Sequence, residues 1–124
     1  MIERMVGKKA PHFEMNALLA DKSFGQVSLK ENMEREKWTV LLFYPMDFTI
    51  VCPTEITAVS DRYDEFKDLD TEVIGISTDS VYAHLAWVNT ERFKNGVGKL
   101  NFALASDKNH QVCKQYGVLI EEEG

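Results

Sequence analysis

Apolar and polar positions alternate along this chain in short, distinct runs. Up to about Lys30 there are two extended candidates, Phe13 to Leu18 and Gln26 to Leu29, split by the polar turn Asp21-Lys22-Ser23. Trp38-Thr-Val-Leu-Leu-Phe-Tyr44 is nearly all apolar or β-branched and is stopped by Pro45, the pattern of a strand buried on both faces. Ile56, Val59, Tyr63 and Phe66 then recur at helical spacing among Asp61, Arg62, Asp64, Glu65 and Lys67, which predicts one amphipathic helix. Val73 to Ser77 is the next strand, and Thr78-Asp79-Ser80 offers caps for a second helix with Val81, Leu85 and Val88 on one face. Asn95-Gly-Val-Gly98 ends that helix in a turn, and Phe102-Ala-Leu104 makes a short strand. Ser106 and Asp107 start a third helix, which Gly117 closes.

Strands alternating with helices predict an α/β fold with a largely parallel sheet. Such sheets place reactive groups in the crevice at the carboxyl ends of their strands, and the stretch from Pro45 to Cys52 lies at one of those ends. Pro53 favours the first helical position, which makes Cys52 the cap; with Thr49 as cap instead, Cys52 takes the third position. Both registers leave the sulfur in the first turn, where free N–H groups and the helix dipole favour thiolate over thiol. A neighbouring Thr49 hydroxyl could align a peroxide, one oxygen for attack and the other held as negative charge develops. The competing reading is a small buried hydrophobe, the commonest state of a lone cysteine, and position alone leaves both open.

Composition narrows the classes. At 124 residues with 44% hydrophobic and 27% charged residues, the expectation is one globular domain over residues 1–124. A net charge of -6 and a pI near 5.0 disfavour nucleic acid, which needs clustered Lys and Arg. The longest apolar run, Val40 to Met46, is far short of a membrane span, and the first residues hold no apolar signal core, so the expected location is cytoplasmic. Two cysteines, Cys52 and Cys113, do not make a disulfide framework. His12, His84 and His110 are scattered, so zinc is not indicated, and each histidine reads as a surface or capping residue.

The string Tyr44-Pro-Met-Asp-Phe-Thr-Ile-Val-Cys-Pro-Thr-Glu55 contains Pro-x-x-x-Thr-x-x-Cys and resembles the active-site loop of peroxiredoxins. It is most similar to the alkyl hydroperoxide reductase C and typical two-cysteine branch, with Ile50 where that branch usually has Phe. Ala10-Pro-His-Phe13, His84-Leu-Ala-Trp-Val-Asn-Thr90 and Tyr116-Gly-Val-Leu119 extend the likeness along the chain in the right order. The resemblance implies a thioredoxin-like fold with an amino-terminal extension. It makes Cys52 the peroxidatic cysteine, oxidised to a sulfenic acid. Thr49 would hydrogen-bond thiolate and peroxide, Pro45 would wall the pocket, and Glu55 would orient an arginine that pairs with the thiolate. It further implies no metal, haem or flavin, electrons from a thioredoxin-like or flavoprotein disulfide reductase, and a homo-oligomer. Glu55 also excludes the Cys-x-x-Cys of a thioredoxin-type oxidoreductase, because it stands where the second cysteine would be. Asn95-Gly-Val-Gly98 resembles in part the Gly-Gly-Leu-Gly loop of oxidation-sensitive members.

In that family the active-site arginine, the last strands and helix, and the resolving cysteine all fall beyond the position of Gly124. Their loss would leave apolar surface and strand edges unpaired, so association or strand exchange is expected. Arg62 and Arg92 are not expected to stand in for the arginine, and Cys113 reads as a buried structural cysteine rather than a resolver. The alternative function is a fragment without turnover, serving as an assembly or chaperone-like module.

Overall fold

The middle of the sheet is set by Thr71-Glu-Val-Ile-Gly-Ile-Ser77, where five successive residues from Val73 to Ser77 are buried. Alternate side chains of a strand leave on opposite faces, so Val73 joins one apolar layer while Ile74 and Ile76 join the other. The computed structural model describes residues 7–44, 52–94, 96–108 and 110–116, with backbone alone for 52–54 and 93. In chain order these form β1 (Glu14–Leu18), β2 (Phe24–Ser28), α1 (Leu29–Glu34), β3 (Trp38–Phe43), α2 (Cys52–Asp61) and α3 (Tyr63–Asp68). They continue with β4 (Thr71–Ser77), α4 (Val81–Val88), a 3-10 turn (Arg92–Lys94), β5 (Ala103–Ser106) and α5 (Gln111–Gln115).

The sheet order is β2-β1-β5-β4-β3. Only β3, β4 and β5 are parallel; the β1–β2 hairpin adds antiparallel to β5 through Ala17 opposite Ala105 and Leu18 opposite Leu104. The sheet is therefore mixed rather than largely parallel, because the amino-terminal strands are joined by a tight turn and not by a helical crossover. One apolar layer, including Leu18, Tyr44, Ile56, Trp87, Phe102 and Leu104, lies on the side of α2, α3 and α4. The other, including Met15, Leu29, Ile74, Ile76, Val112 and Cys113, lies on the side of α1 and α5.

Several expectations are corrected. β3 was expected to be buried on both faces, but among the described residues its one strand neighbour is β4; Trp38 is 77% exposed and the rest of the strand is half-buried. The single helix expected through Phe66 is two, parted at Arg62, whose backbone (φ -105°, ψ 19°) leaves the helical region. Leu29 opens a short helix that the apolar pattern missed, capped by the Ser28 hydroxyl accepting from the Glu31 amide. Ser80 caps α4 as expected, through the Ala83 amide. The buried residues of that helix are His84, Trp87 and Val88; of the expected Val81, Leu85 and Val88, Val88 is buried, Leu85 packs half-buried against the same core, and Val81 is not buried. The third helix begins later than expected, at Gln111, while the Asp107 carboxylate still accepts from the Val112 and Cys113 amides; Gly117 lies outside the described residues.

Two glycines are required by close approach. A Cβ on Gly75 would sit 2.7 Å from Leu104 Cδ2, and one on Gly96 would sit 2.0 Å from the Thr90 carbonyl oxygen. Leu104 is a side chain that can shift, whereas the Thr90 oxygen belongs to the backbone. Gly75→Ala is therefore expected to cost ~1–3 kcal/mol of stability, as overpacking does. Gly96→Ala should cost more, and urea unfolding of the two variants gives the order.

Candidate active site

The junction that carries Cys52 is bracketed by two buried residues. Tyr44, directly after β3, donates its amide to the Ile76 carbonyl at 3.0 Å and so extends the pairing with β4 by one residue. Ile56, one helical turn after Cys52 in α2, is 3% exposed and belongs to the same apolar cluster as Tyr44. The strand end before the junction and the helix start after it are thus held by one core. α2 as described starts at Cys52, which agrees with a cysteine in the first turn.

Tyr44 is in turn held by α4. Its ring packs against Trp87 at a centroid distance of 5.5 Å, and its hydroxyl lies 3.4 Å from His84 Nδ1. His84 Nε2 lies 3.0 Å from the Ala105 carbonyl oxygen, which can only accept, so Nε2 carries the proton. In the neutral ring Nδ1 is then the acceptor, and the Tyr44 hydroxyl donates to it. His84 is fully buried, which corrects its reading as a surface or capping residue. The available signal was its spacing: His84 shares a helical face with Trp87 and Val88. Of the other two histidines, His12 is exposed and His110 occupies the cap position of α5 without a capping bond from its side chain.

The far end of α2 is tied down separately. Ser60 is buried; its hydroxyl accepts from the Asn101 amide at 2.9 Å, and its carbonyl accepts from Asn101 Nδ2 at 2.8 Å. Asp61 receives a two-pronged contact from Arg92, at 3.0 and 2.7 Å, and the hydrogen bond to that guanidinium lowers the Asp61 pKa. Arg62 pairs with Glu65 at 3.3 Å. This end lies about 13 Å from Cys52 along the helix axis, at ~1.5 Å per residue. Both arginines are thus engaged away from the cysteine, as expected.

Of the expected site residues, Pro45 and Thr49 lie outside the described residues, as does the side chain of Cys52. Glu55 is exposed in the first turn of α2, where a carboxylate suits the helix dipole. Cys113 is buried in the α1 and α5 layer, on the opposite side of the sheet from Tyr44 and Ile56. Burial first, then the neighbouring Asp107 carboxylate, pushes its thiol up to about 12. It is therefore a protonated, inert sulfur, and the reading of it as structural stands. Among the described residues no group of three His, Cys, Asp or Glu side chains could hold a metal ion, and no helix is long and apolar enough to cross a membrane.

Comparison with known proteins gives a consistent result. Residues 6–124 match the model of the AhpC/TSA family. The chain is 70% identical over 124 residues to the "Putative peroxiredoxin YkuU" of Bacillus subtilis (strain 168), covering all of this chain and 69% of that protein. It is 52% identical over 115 residues to a "Thioredoxin peroxidase" of Trypanosoma brucei rhodesiense, covering 93% of this chain and 57% of that one. Among solved structures, reduced 2-Cys peroxiredoxin from Plasmodium vivax superposes with a TM-score of 0.92 at 42% identity. That match covers 97% of this chain and 62% of the Plasmodium chain. The thioredoxin-like fold expected from the motifs is the fold found, and the chain spans about two thirds of the length of these relatives.

Two measurements check the contrast between the cysteines. In the native protein, iodoacetamide near neutral pH should label Cys52 and spare Cys113, with Cys113 labelled only after denaturation; mass spectrometry reads both. Folding raises the pKa of Cys113 from 9.0, and of Tyr63 and Tyr116 from 10.0. The unfolded chain therefore releases these protons first, and stability should fall as pH rises from about 9 towards about 12. Cys113→Ala should make that fall shallower, by up to about 1.4 kcal/mol per pH unit.

Proposed function

The chain belongs to the AhpC/TSA family, and on that premise we propose that it is a thiol peroxidase with Cys52 as the peroxidatic nucleophile. The observation that carries the reading is Cys52 opening α2 at the carboxyl end of a parallel strand, inside the motif Pro45-x-x-x-Thr49-x-x-Cys52. The substrate is hydrogen peroxide or an alkyl hydroperoxide. The Cys52 thiolate attacks the terminal oxygen, the O–O bond breaks, and the leaving oxygen departs with a proton as water or alcohol. Sulfur is oxidised by two electrons to the sulfenic acid. A second thiol then condenses with it, releasing water and leaving a disulfide. A dithiol reductase returns the two electrons, and relatedness to a protein named thioredoxin peroxidase favours a thioredoxin-like donor.

In this proposal the dipole and free amides at the start of α2 favour the thiolate. The Thr49 hydroxyl aligns the peroxide, Pro45 keeps water from the sulfur, and Glu55 orients a cation towards it. Metal, haem and flavin have no part in the step. Self-association is included: Phe24 and Tyr82 are 50% and 71% exposed and meet edge to face at 5.4 Å, a surface a second copy would cover.

The test is a stoichiometric dose of hydrogen peroxide on the reduced protein, followed by intact mass. Cys52 should gain one oxygen far faster than free cysteine does, and Cys52→Ser should abolish the reaction. Thr49→Val should slow it by about 10²–10³, the usual cost of one donor to a developing negative oxygen. Oxidation no faster than that of free cysteine sinks the proposal.

A further inference from the structure

Buried histidines in an apolar layer need a reason, since Leu or Phe would fill the space without a polar ring to satisfy. Both ring nitrogens of His84 are engaged: Nε2–H with the Ala105 carbonyl at 3.0 Å, and Nδ1 with the Tyr44 hydroxyl at 3.4 Å. Ala105 belongs to β5, which pairs with β1 on one side and β4 on the other, so its carbonyl is among the most fixed points in the molecule. Tyr44 is the last described residue before the stretch that leads to Cys52, and it shares a buried cluster with Ile56, one turn beyond Cys52. A line of hydrogen bonds thus runs from the sheet centre, through the imidazole, to a phenol packed at the cysteine junction.

We propose that His84 is a positioning residue for Cys52, acting through the hydroxyl of Tyr44. The inference rests on the peroxidase reading above. His84 fixes the rotation of the Tyr44 ring, and that ring sets how the start of α2 and the end of β3 pack together. The 3.4 Å separation is long for a hydroxyl donating to a ring nitrogen, so the bond is weak and the effect on Cys52 is moderate.

The experiment compares the full chain with Tyr44→Phe, His84→Leu, the double variant, and Ile74→Val as a control in the opposite apolar layer. Two rates are followed at Cys52: oxidation by hydrogen peroxide, and alkylation by iodoacetamide from about pH 5 to about pH 9, which reports the thiolate. Tyr44→Phe, which removes one oxygen, should slow oxidation about three- to ten-fold and move the alkylation midpoint. His84→Leu should do the same, and the double variant should be no slower than His84→Leu, because one chain of contacts has been cut twice. The control should lose stability without slowing Cys52. A Tyr44→Phe rate within about two-fold of the parent, additive losses, or an equal slowing in the control overturns the proposal. If His84→Leu does not fold, Tyr44→Phe is judged together with the nitrogen resonances of His84. Those should show Nε2 protonated and Nδ1 bare, and the opposite tautomer overturns it. Slow oxidation in the parent itself counts against the peroxidase reading, while the alkylation profiles still decide whether Tyr44 and His84 are coupled to Cys52.

Discussion

Everything in this fold depends on β4 being covered on both faces. Once Val73 and Ile74 must both be removed from water, helices are needed above and below, and the chain supplies α2, α3 and α4 on one side and α1 and α5 on the other. Gly75 is part of the same constraint, since it leaves room for Leu104 and Tyr44 on a crowded face. The parallel pairing of β3 with β4 then carries Tyr44 to the edge of the core, and the next described element opens at Cys52. The candidate nucleophile is therefore located by the packing of a strand it does not belong to.

The two sulfurs show how strongly surroundings divide identical groups. Cys113 has an apolar layer around it and the buried Asp107 carboxylate in direct contact, and both oppose ionisation. Cys52 opens a helix whose opposite end is held by Asn101 and Arg92. Anchoring at that end leaves the first turn as the part whose local environment governs chemistry. The short bidentate contact between Arg92 and Asp61 is exposed to solvent, so its main contribution is geometric, and only a small stability gain is expected of it.

Much of this was legible in the residues. The order of elements follows from runs of two periods, and the cysteine motif identifies the family that the comparisons then show. What the pattern missed has physical causes. The break at Arg62 is invisible because Val59, Tyr63 and Phe66 keep their helical spacing across it and still pack against one core. The apolar run of β3 looked like a central strand, because composition reports how apolar a strand is and not how many neighbours it has. His84 was misread since a ring that is polar at two atoms can be buried wherever both find partners, and one of those partners, Ala105, is brought near only by the sheet. The Pro45 and Thr49 roles come from the motif alone.

The position of β5 has a bearing on how the chain acquires its shape. Although last of the described strands in sequence, it lies in the middle of the described sheet, between β1 and β4. Until Ala103 to Ser106 has been synthesised, the amino-terminal hairpin and the β3–β4 pair have no shared border, and Ala17 must wait for Ala105. Closing so long a loop is slow, and it makes β5 the keystone of a late, cooperative step. On a ribosome, Cys52 would emerge well before the wall formed by His84, Trp87 and Leu104 closes over Tyr44. The nascent chain would therefore carry its cysteine for a time in surroundings quite unlike those of the finished fold.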